Sequence, residues 1–525
     1  MYRRHFASAL FAALVIILLW LPFWPPAGYL LISWAIFAAI GFHDLRSRHN
    51  VLNNYPVIGH LRYMLEFVRP ELRQYFFESE QSGRPFSRAQ RTLINARADG
   101  GSDASPFGTL RDFEAAGYEF AEHSLVPKDV PKDVTCLTVG GPQCTQPYRA
   151  SRLNISAMSF GSLSSTAILA MNLGAKRGGF AHNTGEGAIS PYHQRHGGDL
   201  IWELGTAYFG CRTQEGRFDA ETFREKARED QVKMIELKLS QGAKPSHGGL
   251  LPAAKVNREI AETRQIAEGE DCQSPASHPE FDTPIGLLEF IERLRELSGG
   301  KPVGMKMCLG KRSEFLSICK AMLETGIRPD FITIDGAEGG TGAAPQEFSD
   351  RLGNYINEAL PFVHQCLVGT GLRDDMKLIA SGKVALGFDM VVKMALGADM
   401  CNAARPFMFS VGCIQARRCH TNKCPTGVTT QDPRRSRAIN VEEKAWRVAN
   451  YHHGTLKAFR ELTGALGVDH PDRLTPDMIY HRNDYTPAHP YRTSIVPLRP
   501  GQLLEDGEIP EAYAPYWEAA RAERF

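Results

Sequence analysis

Neither sign of charge prevails in this chain: 60 Lys and Arg stand against 59 Asp and Glu, a formal net charge of +1. That balance excludes a general nucleic-acid binder, which works through a strong basic field. Cysteine is scarce as well. Eleven are scattered through 525 residues, an odd count without the density of a disulfide scaffold, so a reduced, cytoplasmic setting is expected. Repeats and low-complexity blocks are missing, and the length suffices for one large domain with appendages.

Long apolar runs, by contrast, are present at the start. Residues 6–24 and 29–42 are apolar on either side of Pro25-Pro26-Ala27-Gly28, which predicts a transmembrane helical hairpin turned at the prolines. Arg3 and Arg4 flank one end and Arg46 and Arg48 the other. The positive-inside tendency places both flanks in the cytoplasm, with Trp20, Trp24 and Tyr29 near the far interface. A cleaved signal peptide is the rival, but the second run and the lack of a small-residue cleavage site count against it. Residues 1–45 are therefore expected to be a two-helix anchor in the cell (inner) membrane carrying a cytoplasmic catalytic domain.

Residues 46–150 are mixed and polar, with helical apolar spacing over 61–77 and an exposed loop at 98–106; they read as a collar or linker. From 151 to 430 short apolar strands, glycine-rich turns and helical runs alternate. Strands are expected at 153–158, 179–183, 206–211, 235–239, 303–308, 331–334, 378–380 and 400–403, with helices such as 313–325 and 384–396 between them. Eight such units predict an α/β fold, a (β/α)8 TIM barrel, with chemistry at the C-terminal ends of its strands. Residues 431–525, with a helix over 441–462, form a C-terminal extension expected to wrap the barrel.

The most distinctive string is Cys413-Ile-Gln-Ala-Arg-Arg-Cys419-His-Thr-Asn-Lys-Cys424, spaced C-x5-C-x4-C. Three soft thiolates among Arg417, Arg418 and Lys423 suit an iron-sulfur cluster. A zinc site completed by His420, or three ordinary buried cysteines, would account for the same spacing. Asp335-Gly-Ala-Glu-Gly-Gly-Thr-Gly342 follows the sixth strand. Its four glycines free the backbone to fold round a ligand, while Asp335 and Glu338 offer charge or proton transfer.

Together with Gln241-Gly-Ala-Lys-Pro245 and the run from Cys401 to Ser410, these strings resemble the FMN-binding domain of glutamate synthase over residues 150–430. The resemblance implies FMN, a [3Fe-4S] cluster on Cys413, Cys419 and Cys424, and reduction of 2-iminoglutarate, from 2-oxoglutarate and ammonia, to L-glutamate. It places the backbone of Met158, Ser159 and Gly161 and the side chain of Gln241 against the flavin, counts Gly339 and Gly340 among the cofactor-binding residues, and puts their loop, with Glu338, on the substrate side. Ser381, Gly382, Ala404 and Arg405, after the last two strands, are where a barrel holds a flavin phosphate. Lys306, costly to bury unpaired, would stabilise the reduced ring as a cation, unless it pairs with a barrel carboxylate instead.

Departures from the family fall on the substrate side. Glu186-Gly187-Ala188 stands where several members have Gly-Glu-Gly-Gly, and Lys244-Pro-Ser-His247-Gly-Gly249 where they have Lys-Pro-Gly-Glu-Gly-Gly. Starting Met1-Tyr2, the chain is expected to lack a glutaminase nucleophile and to draw ammonia from solution or a partner. No nicotinamide-binding domain is evident, so a separate electron-donor protein is expected. Two other functions fit the same core: a related FMN oxidoreductase on another amino or oxo acid, and a non-catalytic electron-transfer subunit.

Overall fold

Eight parallel strands close on themselves. They are β1 (Leu153–Ile155), β2 (His182–Asn183), β3 (Leu200–Leu204), β4 (Val232–Lys238), β5 (Val303–Met307), β6 (Phe331–Asp335), β7 (Lys377–Ser381) and β8 (Met400–Ala403), each pairing with the next and β8 with β1. The structure is a computed structural model that describes residues 2–484 and 486–525; Met1 of the expected anchor lies outside them. The (β/α)8 barrel is thus present as the strand and glycine pattern predicts.

Alternation along the strands divides the barrel interior into layers. Ile201, Met234, Phe331, Ile379 and Met400 make one buried apolar layer, joined by Val139 and Ala150 from a hairpin of Cys136–Val139 and Tyr148–Ser151. Two residues further along the same strands the lining turns polar: Glu203, Glu236, Thr333, Ser381 and Asn402. With the N-terminal end packed by hydrocarbon and the hairpin, only the C-terminal end is left for polar chemistry.

The third strand needs a correction. Expected at 206–211, it lies at Leu200–Leu204 instead. Residues 206–211 turn rather than extend, with Tyr208 at φ 50° and Gly210 at φ 85°. Glu203 interrupts the apolar run and hides the strand in the sequence. Structurally the alternation is regular: Trp202 stacks outward on Phe223 while Glu203 points inward to Lys306.

The expected helices appear as Arg312–Thr325 and Gly387–Ala395. The second starts three residues late because the Asp389 carboxylate accepts from the Ala385 and Leu386 amides ahead of it. Ser164 caps Ser165–Gly178 through the Ala167 amide, and Gly179 at φ 68° ends that helix. Val441–Ala465 packs across both Ser165–Gly178 and Gly387–Ala395.

Two buried histidines, His182 on β2 and His452 on the helix Val441–Ala465, carry a stability consequence. His182 and His452 are buried, and burial drives both imidazoles down to about 3. In the unfolded chain they accept a proton near pH 6.5. Their contribution is therefore complete above about pH 6.5 and declines as pH falls below it, by up to ~1.4 kcal/mol per pH unit each. Melting curves are expected to show a midpoint that drops on acidification from about pH 7 to 5, and His182→Leu is expected to reduce that slope.

Contacts divide the chain into two units, Met1–Arg88 and Ala89–Phe525. The first contains helices Tyr2–Trp20 and Ala27–Arg46, both long and apolar enough to cross a membrane by length and composition. A third, Ile58–Leu72, continues as a wider turn through Arg73–Phe77.

Candidate active site

The strand ends of the barrel gather ten charged side chains, from Glu186 to Arg405, that the sequence spreads over about two hundred residues. At the bottom of this layer, Lys306 on β5 pairs with Glu203 on β3 and lies 3.7 Å from Glu236 on β4. Glu236 also accepts from Asn183 at 2.8 Å and Thr333 at 2.6 Å. Burial works to lower the Lys306 ammonium, but the two carboxylates outweigh it and hold it above its ordinary value. One ammonium cannot neutralise two carboxylates. Burial, with Glu203 adding to it, pushes Glu236 up, so Glu236 is the group that retains a proton. Lys306 is thus engaged by barrel carboxylates, the arrangement its burial alone requires.

One turn nearer the rim, Lys238 ends β4 with its Nζ 2.8 Å from Glu186 Oε1 and 3.3 Å from Gln241 Oε1. Burial works to raise the Glu186 carboxyl; Lys238, with Lys244 and Arg264, outweighs it and holds it down at about 2. Lys244, buried in turn, is pushed down to about 8 against the pull of Glu186. Arg264 donates to Ser159 Oγ at 3.2 Å and to the Phe160 carbonyl at 2.8 Å. Beneath Lys238, His278 joins its carbonyl to the Tyr208 hydroxyl, at 2.9 and 2.8 Å. Three buried cations thus surround one carboxylate, whose Oε2 has no hydrogen-bond partner among the described residues.

Asp335, at the end of β6, ties loops together rather than facing open space. Its carboxylate accepts from the Gly242 amide at 2.8 Å and from Ser381 Oγ at 3.0 Å. Ser381 is in turn 3.4 Å from Ser156. Gly242 has no room for a side chain: a Cβ there would stand 1.7 Å from the Gly336 carbonyl oxygen. Gly242→Ala is expected to force the two loops apart and cost about 1–3 kcal/mol or more, read as a lower melting midpoint with faster proteolysis at 336–345.

Glu338, Gly382 and Arg405 meet on the opposite side of the mouth. Burial raises the Glu338 carboxyl, which accepts from the Ile356 amide at 3.2 Å. A Cβ on Gly382 (φ 145°) would touch Glu338 Oε1 at 3.4 Å and the Gly336 amide nitrogen at 3.4 Å. Arg405 donates to the Glu338 carbonyl at 3.0 Å, and burial pushes its guanidinium down to about 10 against the pull of Asp335 and Glu338. Ala404 stands at the start of the short helix Arg405–Ser410. Gly340 lies against Arg405, and Gly339 closes a turn on the Gly336 carbonyl at 2.8 Å.

The cysteine loop is fastened to the loop after β1. Lys255, itself buried, donates to the Ser162 carbonyl at 2.8 Å and the Cys419 carbonyl at 3.3 Å. Gln431 Nε2 donates to Gly161 and Leu163 carbonyls at 3.0 and 2.8 Å. Burial drives the Cys413 thiol up to about 12, with Cys419 and Cys424 adding to the rise. Among the described residues no three His, Cys, Asp or Glu side chains converge as one metal ion requires.

The mouth therefore brings together Ser159, Gly161, Gln241, Asp335, Glu338, Gly339, Gly340, Ser381, Gly382, Ala404 and Arg405, with buried Met158 beside them. Lys306 lies beneath, and Cys413, Cys419 and Cys424 stand behind Ser162. Lys238, Glu203, Glu236, Arg264 and Lys255 were not singled out from sequence. A signal existed for Glu203, Glu236 and Lys238, charges inside otherwise apolar strand runs; none existed for Arg264 and Lys255, which lie in the long segment between β4 and β5.

A (β/α)8 barrel with buried cations and glycine-lined loops at its C-terminal end is the frame of an enzyme for an anionic ligand. Residues 133–469 match the family described as the conserved region in glutamate synthase. The glutamate synthase large subunit-like protein YerD of Bacillus subtilis is 39% identical over 501 residues, 87% of this chain and 94% of that one. Archaeal glutamate synthase (NADPH) of Archaeoglobus fulgidus is 33% identical over 315 residues, 60% of this chain and 58% of that enzyme. Among solved structures, a flavocytochrome b2 mutant with pyruvate bound aligns at TM-score 0.40 and 13% identity, over 79% of this chain and 85% of that one. The chain belongs to the glutamate synthase family, a family of oxidoreductases.

Proposed function

We propose that the barrel mouth reduces 2-iminoglutarate, formed from 2-oxoglutarate and ammonia, to L-glutamate without a glutaminase domain of its own. The observation that carries this reading is the cation cluster at the rim, where Lys238, Lys244 and Arg264 are buried round the single carboxylate of Glu186. Such a site has charge to spare for a carboxylate ligand, which a buried cation holds by strong, charge-assisted hydrogen bonds. The archaeal relative's name, glutamate synthase (NADPH), belongs to the same chemistry.

The residues present fit FMN. Gly336 and Gly382 lie against the carboxylate oxygens of Glu338, which accept from the Ile356 amide at 3.2 Å, and oxygens of a phosphate are held by backbone amides of the same kind. Ser381, Gly382, Ala404 and Arg405 would hold that phosphate, and Met158, Ser159, Gly161 and Gln241 the ring. The three cysteines fit a 3Fe-4S cluster: Gln415, Arg417 and Asn422 take left-handed backbone that wraps the loop, and the Gln415 amide donates to Cys413 Sγ at 3.4 Å. Bound FMN supplies hydride chemistry and a cluster supplies single electrons.

The chain's own residues divide the remaining work. Glu186, held ionised, pairs with Lys238 and cannot act as the acid near neutral pH. Burial raises the carboxyls of Glu236 and Glu338; Glu236 is enclosed beneath the mouth by Asn183 and Thr333, which leaves Glu338, in the loop at the mouth, as the carboxyl to hold a proton for the imine nitrogen. Asp335 keeps the loops after β4, β6 and β7 in register. The two apolar helices of residues 2–46 anchor this enzyme in the cell (inner) membrane, supported by Arg3, Arg4, Arg46 and Arg48 at one side. Electrons come from a separate donor protein.

The test uses the anaerobically purified full chain. Its flavin is reduced chemically, 2-oxoglutarate and ammonium are added, and flavin reoxidation is followed while glutamate is assayed. Reoxidation with matching glutamate is expected; a bound flavin that stays reduced overturns the substrate. For the cluster, Cys419→Ser is expected to remove bound iron and the low-temperature electron-resonance signal, and unchanged iron and signal would remove the cluster from this reading.

A further inference from the structure

We infer that Ile58–Leu72 and its continuation to Phe77 lie in the plane of an anionic membrane surface, as an interfacial helix that follows the two apolar ones. This rests on the reading that residues 2–46 span the membrane.

A helix in a water-soluble protein turns its apolar stripe inward. This one leaves its apolar residues in the open. Ile58, Leu61, Leu65, Leu72, Tyr75 and Phe76 recur at helical spacing on one face, and they are between 38% and 75% exposed. Within Ile58–Leu72 the one buried residue is Gly59. Arg62, Arg69 and Arg73 run along one flank of that face, at the i, i+7, i+11 positions. Glu66 lies 3.9 Å from Arg62 and 3.5 Å from Arg69. Between residues 46 and 77 five arginines face two glutamates. An exposed apolar face bordered by arginines is the build of a helix that sinks into the headgroup boundary of an anionic leaflet.

The elbow before the helix fixes where it leaves the hairpin. Asp44, at the end of Ala27–Arg46 and fully buried, accepts from the Val57 amide at 2.9 Å and from His60 Nε2 at 2.9 Å. Asn53 Nδ2 donates to the Leu45 carbonyl at 2.7 Å and to the Ser47 carbonyl at 3.2 Å. Val57 sits at φ 63°, a conformation that a β-branched residue adopts only when its surroundings enforce it. The latch lies beside Arg46 and Arg48, the charged flank of the hairpin. Continuity therefore commits the apolar face to the same bilayer.

The test uses the full chain in vesicles of phosphatidylcholine and phosphatidylglycerol, with one or the other lipid carrying a photoactivatable group high on an acyl chain. Adducts are mapped by mass spectrometry. Labelling is expected at 6–42 and also at 58–77, with phosphatidylglycerol favoured at 58–77 by about fivefold, the preference that one arginine at an anionic surface supports. Leu61→Glu/Leu65→Glu is expected to abolish labelling at 58–77 while leaving 6–42 labelled and the melting midpoint of the barrel in place. Labelling of 6–42 with none at 58–77, or equal labelling at 58–77 by both lipids, overturns the inference and leaves the hairpin standing. No adducts in either segment removes both.

Discussion

Lys306→Met is expected to destabilise the barrel by about 3–5 kcal/mol, the cost of removing one partner from a buried ion pair. Glu203 and Glu236 are both nearly inaccessible to water, and methionine fills the hydrocarbon part of the lysine without answering their charge. One of the two carboxyls must then bind a proton for the fold to survive. Folded carboxyls with raised pKa bind more protons than unfolded ones, so the variant's stability is expected to rise as pH falls from about 8 towards 5. Adding Glu203→Gln removes a stranded charge and is expected to recover part of the loss. Thermal melting of the three proteins across pH checks this. A Lys306→Met midpoint close to the parent's at every pH would show that the lysine serves the cofactor alone.

Lys244→Met is expected to raise the KM for 2-oxoglutarate by roughly 10- to 100-fold, the loss of one hydrogen bond to a charged group. Its Nζ donates to the Ala343 carbonyl at 3.1 Å, so a merely structural role has to be separated from binding, and pH does so. Burial lowers this lysine to about 8: it is charged below that pH and neutral above. In the parent enzyme KM is expected to stay level below about pH 8 and to climb above it, as the cation that meets the substrate carboxylate is lost. The variant keeps a high KM with no inflection there. Steady-state kinetics from about pH 6.5 to 9.5 distinguishes the two, since loop support alone would give parallel profiles.

The imprint of the sequence was strongest where the cause is local. Gly179 ending a helix, Ser164 starting one, and the glycine strings after β4, β6 and β7 each act within a few residues, and the barrel with its loops could be read from them. The apolar runs at the start are legible for the same reason. Reading failed at β3, because Glu203 belongs to its strand only in the presence of Lys306, which lies 103 residues away.

Charge neutralisation was decided by tertiary structure alone. Lys306 could have met a ligand or a carboxylate as far as its neighbours Met305 and Met307 reveal; the closing of β3, β4 and β5 side by side supplies two carboxylates. Arg264 and Lys255 come from the excursion between β4 and β5, and no periodicity marks their return, one to the loop after β1 and the other to the cysteine loop. Turns and alternation are written in adjacent residues because backbone conformation is a local property. A buried charge is tolerated only by partners that the folded barrel brings from elsewhere in the chain.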